Sequence, residues 1–201
     1  MKTVCVILAA GRSQRMGAQK LTLRVGETTL LERALEAAGE FPVVAVVAPE
    51  LVSSVPPRAG LTIIVNDQPD RGMTHSLALA DATIADRDAA LAVLLADTPL
   101  VDSGLVSRVV AALGDSDVAY PVRDGIGGHP VVFGPRARAA LLQTKEGDTL
   151  RILRDDPRWL RVEIPIDEQA PFLDVDTPED LARAQALVAR PVEPLQQKAR
   201  S

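Results

Sequence analysis

Short apolar runs that alternate with capped or amphipathic segments constrain the fold of this 201-residue chain more than any other feature. The runs occupy residues 4–9, 43–48, 62–65 and 91–96. They are too short for buried helices and show no polar alternation, which is typical of strands covered on both faces of a parallel sheet. Helix patterns fall at residues 29–39, 74–85 and 103–113. We therefore predict an α/β fold with an open, mostly parallel sheet and right-handed crossovers.

The pattern changes after about residue 120, where the predicted elements become shorter. Strand patterns lie at residues 118–121, 131–133, 162–164 and 172–175, and helix patterns lie near 135–143 and 149–154. The segment 177–180 combines a cap, a first-turn proline and acids, so it predicts a last helix that runs to about Arg190. We expect an antiparallel edge or small lobe here. We treat residues 1–190 as one domain and residues 191–201 as a frayed tail.

Composition excludes several classes of function. The formal net charge of −5 argues against a nucleic-acid partner, because such proteins need a basic face to contact phosphates. No apolar stretch approaches the roughly 18 residues that span a bilayer, so we expect no membrane partner. The single cysteine, Cys5, lies in an apolar run and has no partner for an internal disulfide, which fits a cytoplasmic protein.

A basic loop that contains glycines follows the first apolar run, at the position where open α/β sheets bind ligands. Gly11 and Gly17 allow the backbone to approach phosphate oxygens. Arg12, Arg15 and Lys20 supply positive charge at short range. On these residues alone an ordinary exposed loop remains the alternative, because glycine-rich loops are weak signals.

Acidic residues stand near the ends of two later predicted strands. Asp97 follows the most apolar run, and alternation along an extended segment directs Asp174 and Asp176 to one face. Carboxylate oxygens suit Mg²⁺, which commonly takes one or two carboxylates together with substrate phosphate. The alternatives are structural. Asp97 could cap a turn or the next helix, Asp176 could terminate a strand before the Thr177 cap, and Asp174 could pair with a core arginine.

The segment LAAGRSQRMG at residues 8–17, followed by Lys20, resembles the signature of the MobA-like NTP transferase family, and the similarity extends to about residue 188. More narrowly, the chain resembles the molybdenum-cofactor cytidylyltransferase branch of that family. The resemblance implies a three-layer, Rossmann-like nucleotidyltransferase fold. It further implies that residues 1–120 bind a nucleoside triphosphate with Mg²⁺ and that residues 121–190 bind a phosphorylated acceptor.

The resemblance also assigns roles to individual residues of this sequence. The implied catalytic residues are Arg15, Lys20 and Asp97. The implied nucleotide contacts are Leu8, Ala9, Ala10, Gly11, Arg12, Ser13, Lys20, Asn66, Gly72 and Ser76. The implied metal ligands are Asp97 together with Asp176 or Asp174, of which Asp176 is favoured. Gly128, His129 and Pro130 match the family's acceptor segment Gly-x-Pro-Val, where His129 either touches the acceptor phosphate or fills a turn.

Two segments depart from the family pattern, the first at the metal-binding aspartate and the second at a segment that bears on the acceptor. The family's Gly-Asp-x-Pro is Ala96-Asp97-Thr98-Pro99 here, and its Gly-Asp-x-Gly-Ala-Arg is Gly147-Asp148-Thr149-Leu150-Arg151. The resemblance implies transfer of a nucleoside monophosphate from CTP to the phosphate of molybdopterin. Alternatives within the class are GTP as donor, or a sugar phosphate, polyol phosphate or phospholactate as acceptor. An alternative of another class is a non-catalytic protein that delivers finished cofactor to a molybdoenzyme, its protein partner.

Overall fold

The computed structural model describes residues 1–11, 19–141, 143 and 149–189. The strands in these residues are β1 (Thr3–Ala9), β2 (Arg24–Val25), β3 (Thr28–Thr29), β4 (Val43–Val47), β5 (Leu61–Val65), β6 (Ala90–Leu95), β7 (Val118–Arg123), β8 (Ile126–Gly127), β9 (Val131–Phe133) and β10 (Arg161–Pro165). Strands β2 and β3 form a small antiparallel sheet of their own. All the other described strands belong to one sheet.

The described α-helices are α1 (Leu30–Ala37), α2 (Met73–Thr83), α3 (Ser103–Leu113), α4 (Pro135–Leu141), α5 (Leu150–Arg154) and α6 (Pro178–Val188). The helix start predicted at Thr29 carries a reciprocal cap. The Glu32 amide donates to Thr29 Oγ1 at 3.1 Å, and the Thr29 amide donates to Glu32 Oε2 at 2.7 Å. Among the described residues, no helix has the length and apolar character that a membrane crossing requires.

The strand order in the main sheet is β5-β4-β1-β6-β9-β7-β10, and β8 pairs with β7. Strands β5, β4, β1 and β6 are mutually parallel, and β10 is parallel to β7. Strand β9 is antiparallel to both β6 and β7. The predicted fold class, a mostly parallel sheet with antiparallel pairs after residue 120, is confirmed. The antiparallel strand β9 nevertheless lies inside the sheet. The edge strand on that side, β10, is parallel to its neighbour β7.

Helices cover both faces of this sheet and so form three layers. Helices α1, α3 and α6 contribute to one apolar core, and α2, α4 and α5 contribute to the other. Along β1 the side chains of Cys5 and Ile7 enter the first core, while Val6 and Leu8 enter the second. Burial on both faces explains why the sequence of β1 shows no polar alternation.

The strand predicted at residues 172–175 is wrong. Residues Ala170–Phe172 form a 3₁₀ turn, and no strand follows before α6. Leu173 and Val175 are buried in the first core, so the apolar alternation correctly reports burial. It does not report pairing, because the Val175 amide donates to the carbonyl oxygen of Asp97, which lies beyond the end of β6, at 2.8 Å.

A buried ion pair joins α2 to α4 beneath the second core. Arg138 Nε lies 2.6 Å from Asp81 Oδ1, and the two side chains are only 3% and 2% exposed. The same guanidinium donates to the carbonyl oxygens of Asp86 and Ala89 at 2.6 and 2.8 Å. Arg87 contacts the second carboxylate oxygen of Asp81 at 2.7 Å. Arg138 therefore satisfies buried carbonyl groups in the segment that leads into β6.

Candidate active site

A cavity of about 190 Å³ opens where β1 ends, at the carboxyl edge of the parallel strands. The predicted nucleotide contacts that line it are Leu8, Ala9, Ala10, Gly11, Lys20, Gly72 and Ser76. Asp97 lines it as well, so Lys20 and Asp97 lie beside the other predicted nucleotide contacts that line the cavity, and Asn66 is not among the lining residues. Arg12, Ser13 and Arg15 lie outside the described residues.

The turn between β5 and α2 is held by Asn66, a buried residue that the sequence suggests as a nucleotide contact. Its Nδ2 donates to Ser76 Oγ at 2.9 Å, and its Oδ1 accepts from the Gln68 amide at 2.8 Å. Gly72 precedes α2 with a φ of 88°, a conformation that favours glycine. Met73 and Ser76 of the first helical turn line the cavity, so the positive end of the helix dipole lies beside it. The Asn66 amide thus braces the wall of the cavity.

Asp97 and Asp176 converge on the ammonium group of Lys20. The Lys20 Nζ atom lies 2.9 Å from Asp97 Oδ2 and 2.7 Å from Asp176 Oδ1. Burial lowers the pKa of Lys20, but its attraction to both carboxylates raises it above the ordinary value. The ammonium therefore stays charged at neutral pH. Two acids that are 79 positions apart in sequence share one cation.

The oxygen atoms of these acids fit a divalent cation such as Mg²⁺. Asp97 Oδ1 is buried and has no hydrogen-bond partner among the described residues, an arrangement that costs free energy unless a cation or donor satisfies it. In the described part of the chain no group of three or more His, Cys, Asp or Glu side chains is arranged to hold a metal ion. Mg²⁺ commonly takes only one or two carboxylates and completes its shell with phosphate and water. The residues present therefore fit a metal that arrives with a phosphorylated ligand.

Asp174, the other candidate ligand, is linked to this acid pair by its charge. Desolvation, followed by repulsion from Asp97 and Asp176, raises the pKa of Asp174 to about 6. Its side chain is exposed, so solvent screens part of this repulsion. Lys20 contacts Asp176, which makes Asp176 the closer partner of Asp97.

Asp174→Asn is expected to change how stability depends on pH. The folded state holds the Asp174 proton more tightly than the unfolded state, so the stability contributed by this group falls as pH rises from about 4 to about 6. Asparagine removes that fall. The free energy of unfolding of the variant should therefore gain on wild type across this interval and keep a constant lead above pH 7. Urea denaturation from pH 4 to 8 measures the difference, with the exposed Asp115→Asn as control. A difference that does not vary with pH would contradict the prediction.

A second cavity, of about 360 Å³, lies between β8 and α5. His129 lines it, together with Gly127, Arg151 and Arg154. Of the other predicted acceptor residues, Pro130 is buried, and Gly128 packs so closely on Phe172 that an added Cβ would lie 2.6 Å from the Phe172 ring. Of the predicted acceptor segment 128–130, the residue that lines this cavity is therefore His129, which is partly buried.

Arg154 is a site candidate that the sequence analysis did not identify. Its side chain is 11% exposed and forms two hydrogen bonds with Asp155, at 2.7 and 2.9 Å. The guanidinium lies over the Tyr120 ring, 4.7 Å from its centroid, and the Tyr120 hydroxyl donates to Glu163 at 2.7 Å. Gly127 leaves no room for a Cβ beside Arg154 Nη1. These contacts fix the orientation of a cation at the cavity wall, and no sequence motif marks them.

His129 lines the second cavity and contacts strand β6. Its Nδ1 atom lies 3.3 Å from the carbonyl oxygen of Val93, which belongs to the strand that ends beside Asp97. Burial lowers the pKa of His129, and the charges of Asp97 and Arg154 act on the ring in opposite directions. The imidazole is therefore neutral at neutral pH and cannot supply positive charge to an anion.

A three-layer α/β fold with a cavity beyond the end of its first strand, lined by a lysine and a carboxylate, is compatible with a nucleotide-binding enzyme. The sequence model of the MobA-like NTP transferase domain matches residues 5–161, and the chain belongs to this family. The predicted family is thus confirmed, and the chain is a nucleotidyltransferase of the MobA-like type.

Two curated relatives and one solved structure are similar over almost the whole chain. The molybdenum cofactor cytidylyltransferase of Escherichia coli (strain K12) is 26% identical over 187 residues, which are 90% of this chain and 94% of the relative. The molybdenum cofactor guanylyltransferase of Xanthomonas euvesicatoria pv. vesicatoria (strain 85-10) is 30% identical over 185 residues, 89% of this chain and 92% of the relative. The solved homologue of Mycobacterium tuberculosis Rv0371c from Mycobacterium sp. strain JC1 has a TM-score of 0.81 and 26% identity, covering 94% of this chain and 98% of that one.

Proposed function

We propose that the chain is a Mg²⁺-dependent cytidylyltransferase of the cytoplasm that transfers CMP from CTP to the phosphate of molybdopterin or its molybdenum form. Residues 1–120 bind CTP, and residues 121–190 bind the acceptor. The observation that carries the proposal is the convergence of Asp97 and Asp176 on Lys20 beside the first cavity. Similarity to a cytidylyltransferase over 90% of the chain supports the choice of substrates.

The proposed reaction forms one phosphoanhydride bond and breaks another. An oxygen of the acceptor phosphate attacks the α-phosphorus of CTP, the bond from that phosphorus to the bridging oxygen breaks, and pyrophosphate leaves with the electron pair. The acceptor phosphate is already anionic, so no strong base is required. The rate enhancement comes from alignment of the two substrates and from neutralisation of their charges. The neutral His129 fits this scheme, because it would orient the acceptor and need not remove a proton.

Each group of residues has a separate task in this proposal. Lys20 and Arg15 neutralise the triphosphate, and the loop at residues 8–13 cradles its phosphates through backbone amides. Asp97 and Asp176 would hold Mg²⁺, which when bound stabilises the charge that develops on the leaving pyrophosphate. Gly128, His129 and Pro130 form one wall of the acceptor site.

The nucleotide can be tested directly by pyrophosphate release. We expect release with CTP, Mg²⁺ and molybdopterin, and at least about tenfold lower kcat/KM with GTP, ATP or UTP. GTP is the second candidate, because the guanylyltransferase relative is 30% identical over 89% of the chain. Exclusive use of GTP would refute the choice of base but would retain the transferase. Activity with a sugar phosphate, polyol phosphate or phospholactate, and none with molybdopterin, would refute the acceptor.

Arg154→Gln is expected to raise KM for the acceptor by about tenfold, because a hydrogen bond to a charged group contributes roughly 1.5–3 kcal/mol. KM for CTP should stay unchanged, since Arg154 lines the second cavity and Lys20 the first. Steady-state kinetics with each substrate varied in turn measures both constants. Arg158→Gln is the matched control, because Arg158 pairs with Asp156 on the surface. Equal acceptor KM values for wild type and Arg154→Gln would exclude the role.

A further inference from the structure

Lys20 occupies the position of a counter-ion between the two acids of the site. Its side chain is 12% exposed, whereas those of Asp97 and Asp176 are 27% and 45% exposed. The ammonium group contacts one oxygen of each carboxylate within hydrogen-bond distance. A lysine ammonium is a compact point charge on a flexible stem, so it can change partners by rotating its side chain.

The Lys20 ammonium and a divalent cation are alternatives at these oxygens. Asp97 uses Oδ2 for Lys20, while its Oδ1 is buried without a partner among the described residues. A divalent cation on the same two carboxylates would lie close to the ammonium, and like charges repel strongly where water is scarce. Binding of the cation therefore requires Lys20 to move, or at least to weaken one of its two contacts.

A triphosphate offers Lys20 another anionic partner on the same side. Lys20 and Asp97 both line the first cavity, and so do the backbone groups of Ala9, Ala10 and Gly11. When phosphate oxygens enter this cavity, the ammonium can exchange a carboxylate for a phosphate without becoming unpaired. The exchange leaves the carboxylate oxygens available to the cation that accompanies the nucleotide.

We propose that Lys20 is the resident cation of the acid pair in the nucleotide-free protein, and that it excludes the divalent metal until a triphosphate draws it away. The metal then binds tightly only together with the nucleotide. By linkage, each of the two ligands raises the affinity for the other by the same factor. This inference rests on the proposed function, because it takes Asp97 and Asp176 as the metal-holding acids.

The test is the affinity of the nucleotide-free protein for Mn²⁺, measured from the paramagnetic resonance signal of free Mn²⁺. We expect wild type to bind Mn²⁺ weakly and Lys20→Met to bind it about tenfold more tightly, within the usual range of coupling between sites. Lys20→Arg should keep the weak affinity, because a guanidinium also pairs with two carboxylates. Lys2→Met is the matched control: Lys2 is 84% exposed and pairs with Asp86 on the surface.

A second arm locates the bound ion and tests the coupling. Asp97→Asn combined with Lys20→Met should lose the added Mn²⁺ affinity. With CTP present, wild type should gain Mn²⁺ affinity and Lys20→Met should gain much less. Circular dichroism and thermal unfolding identify any variant that fails to fold. If Lys20→Met fails to fold, Lys20→Arg is compared with wild type instead, and it must still gain Mn²⁺ affinity when CTP is added.

Equal or weaker nucleotide-free Mn²⁺ binding by folded Lys20→Met would overturn the inference. If Lys20→Met binds Mn²⁺ tightly and the addition of Asp97→Asn leaves that affinity unchanged, the inference is also overturned, because the ion would then lie elsewhere. These results are independent of the transfer assay. If wild type transfers CMP while the Mn²⁺ affinities do not differ, only this inference fails. If the affinities differ as expected and no nucleotide is transferred, only the proposed reaction fails.

Discussion

Asp97→Asn is expected to lower kcat for pyrophosphate release by about a hundredfold to a thousandfold while the protein remains folded. The substitution removes one negative charge and one hard oxygen ligand but keeps the side-chain volume. The contact that joins the two acidic segments is retained, because it is made by the backbone carbonyl of Asp97 and the amide of Val175. Transfer assays with CTP and molybdopterin, at saturating Mg²⁺, measure the loss.

The exposed acid Asp88 provides the control for this experiment, and Asp88→Asn should retain full activity. A circular dichroism spectrum and melting temperature close to those of wild type would show that the loss is chemical. Activity of Asp97→Asn within about threefold of wild type would remove Asp97 from the metal site. Absence of pyrophosphate release from wild type itself would instead support the alternative of a non-catalytic delivery protein.

Arg138→Met is expected to lower the free energy of unfolding by about 3 kcal/mol or more, because it leaves a buried carboxylate and buried carbonyls short of donors. Asp81 is 2% exposed and keeps only the surface Arg87 as a cation. The carbonyls of Asp86 and Ala89 lose their hydrogen bonds from the guanidinium. Urea denaturation at pH 7 measures the change.

The matched control is Arg151→Met, because the Arg151 side chain is 81% exposed and its partner Asp155 is 36% exposed. Its loss should be about 1 kcal/mol or less, as expected for a surface ion pair. The double variant Asp81→Leu with Arg138→Met should recover part of the loss, since it removes both buried charges together. A loss below about 1 kcal/mol for Arg138→Met alone would show that the buried pair contributes little to stability.

The parallel strands β1, β4 and β6 are predictable from sequence because burial on both faces leaves a local trace. The prediction that residues 62–65 are covered on both faces is wrong, because β5 is an edge strand in which Ile63 and Val65 are exposed. A run such as residues 91–96 has no polar position, and in the structure both faces of that strand are covered by helices. The segment 172–175 alternates buried apolar residues with the exposed Asp174, as a half-buried strand would, yet it pairs with no strand. The burial of Leu173 and Val175 is predictable because both residues are apolar, whereas strand pairing depends on which segment lies beside them. The position of β9 inside the sheet likewise depends on strands that are distant in sequence.

The candidate site also contains residues that can be predicted from the sequence and residues that cannot. Asp97, Asp176 and Lys20 follow strand ends or a family motif, and the structure brings them together. The orientation of the Asn66 side chain is not encoded locally, and its amide is used by Ser76 and Gln68. Arg154 becomes a candidate only through Tyr120 and Gly127, which are remote in sequence, so no reading of neighbouring residues could find it.

The pairing of β9 with β6 connects the two cavities. His129 is tied to the Val93 carbonyl two residues before β9 begins, and Asp97 stands two residues after β6 ends. Val93 and Val131 are register partners, so the first and second cavities are connected through one ladder of backbone hydrogen bonds. Residues on α5 could then be exchanged during evolution or by design to admit another acceptor. The distance between the two cavities would then stay the same.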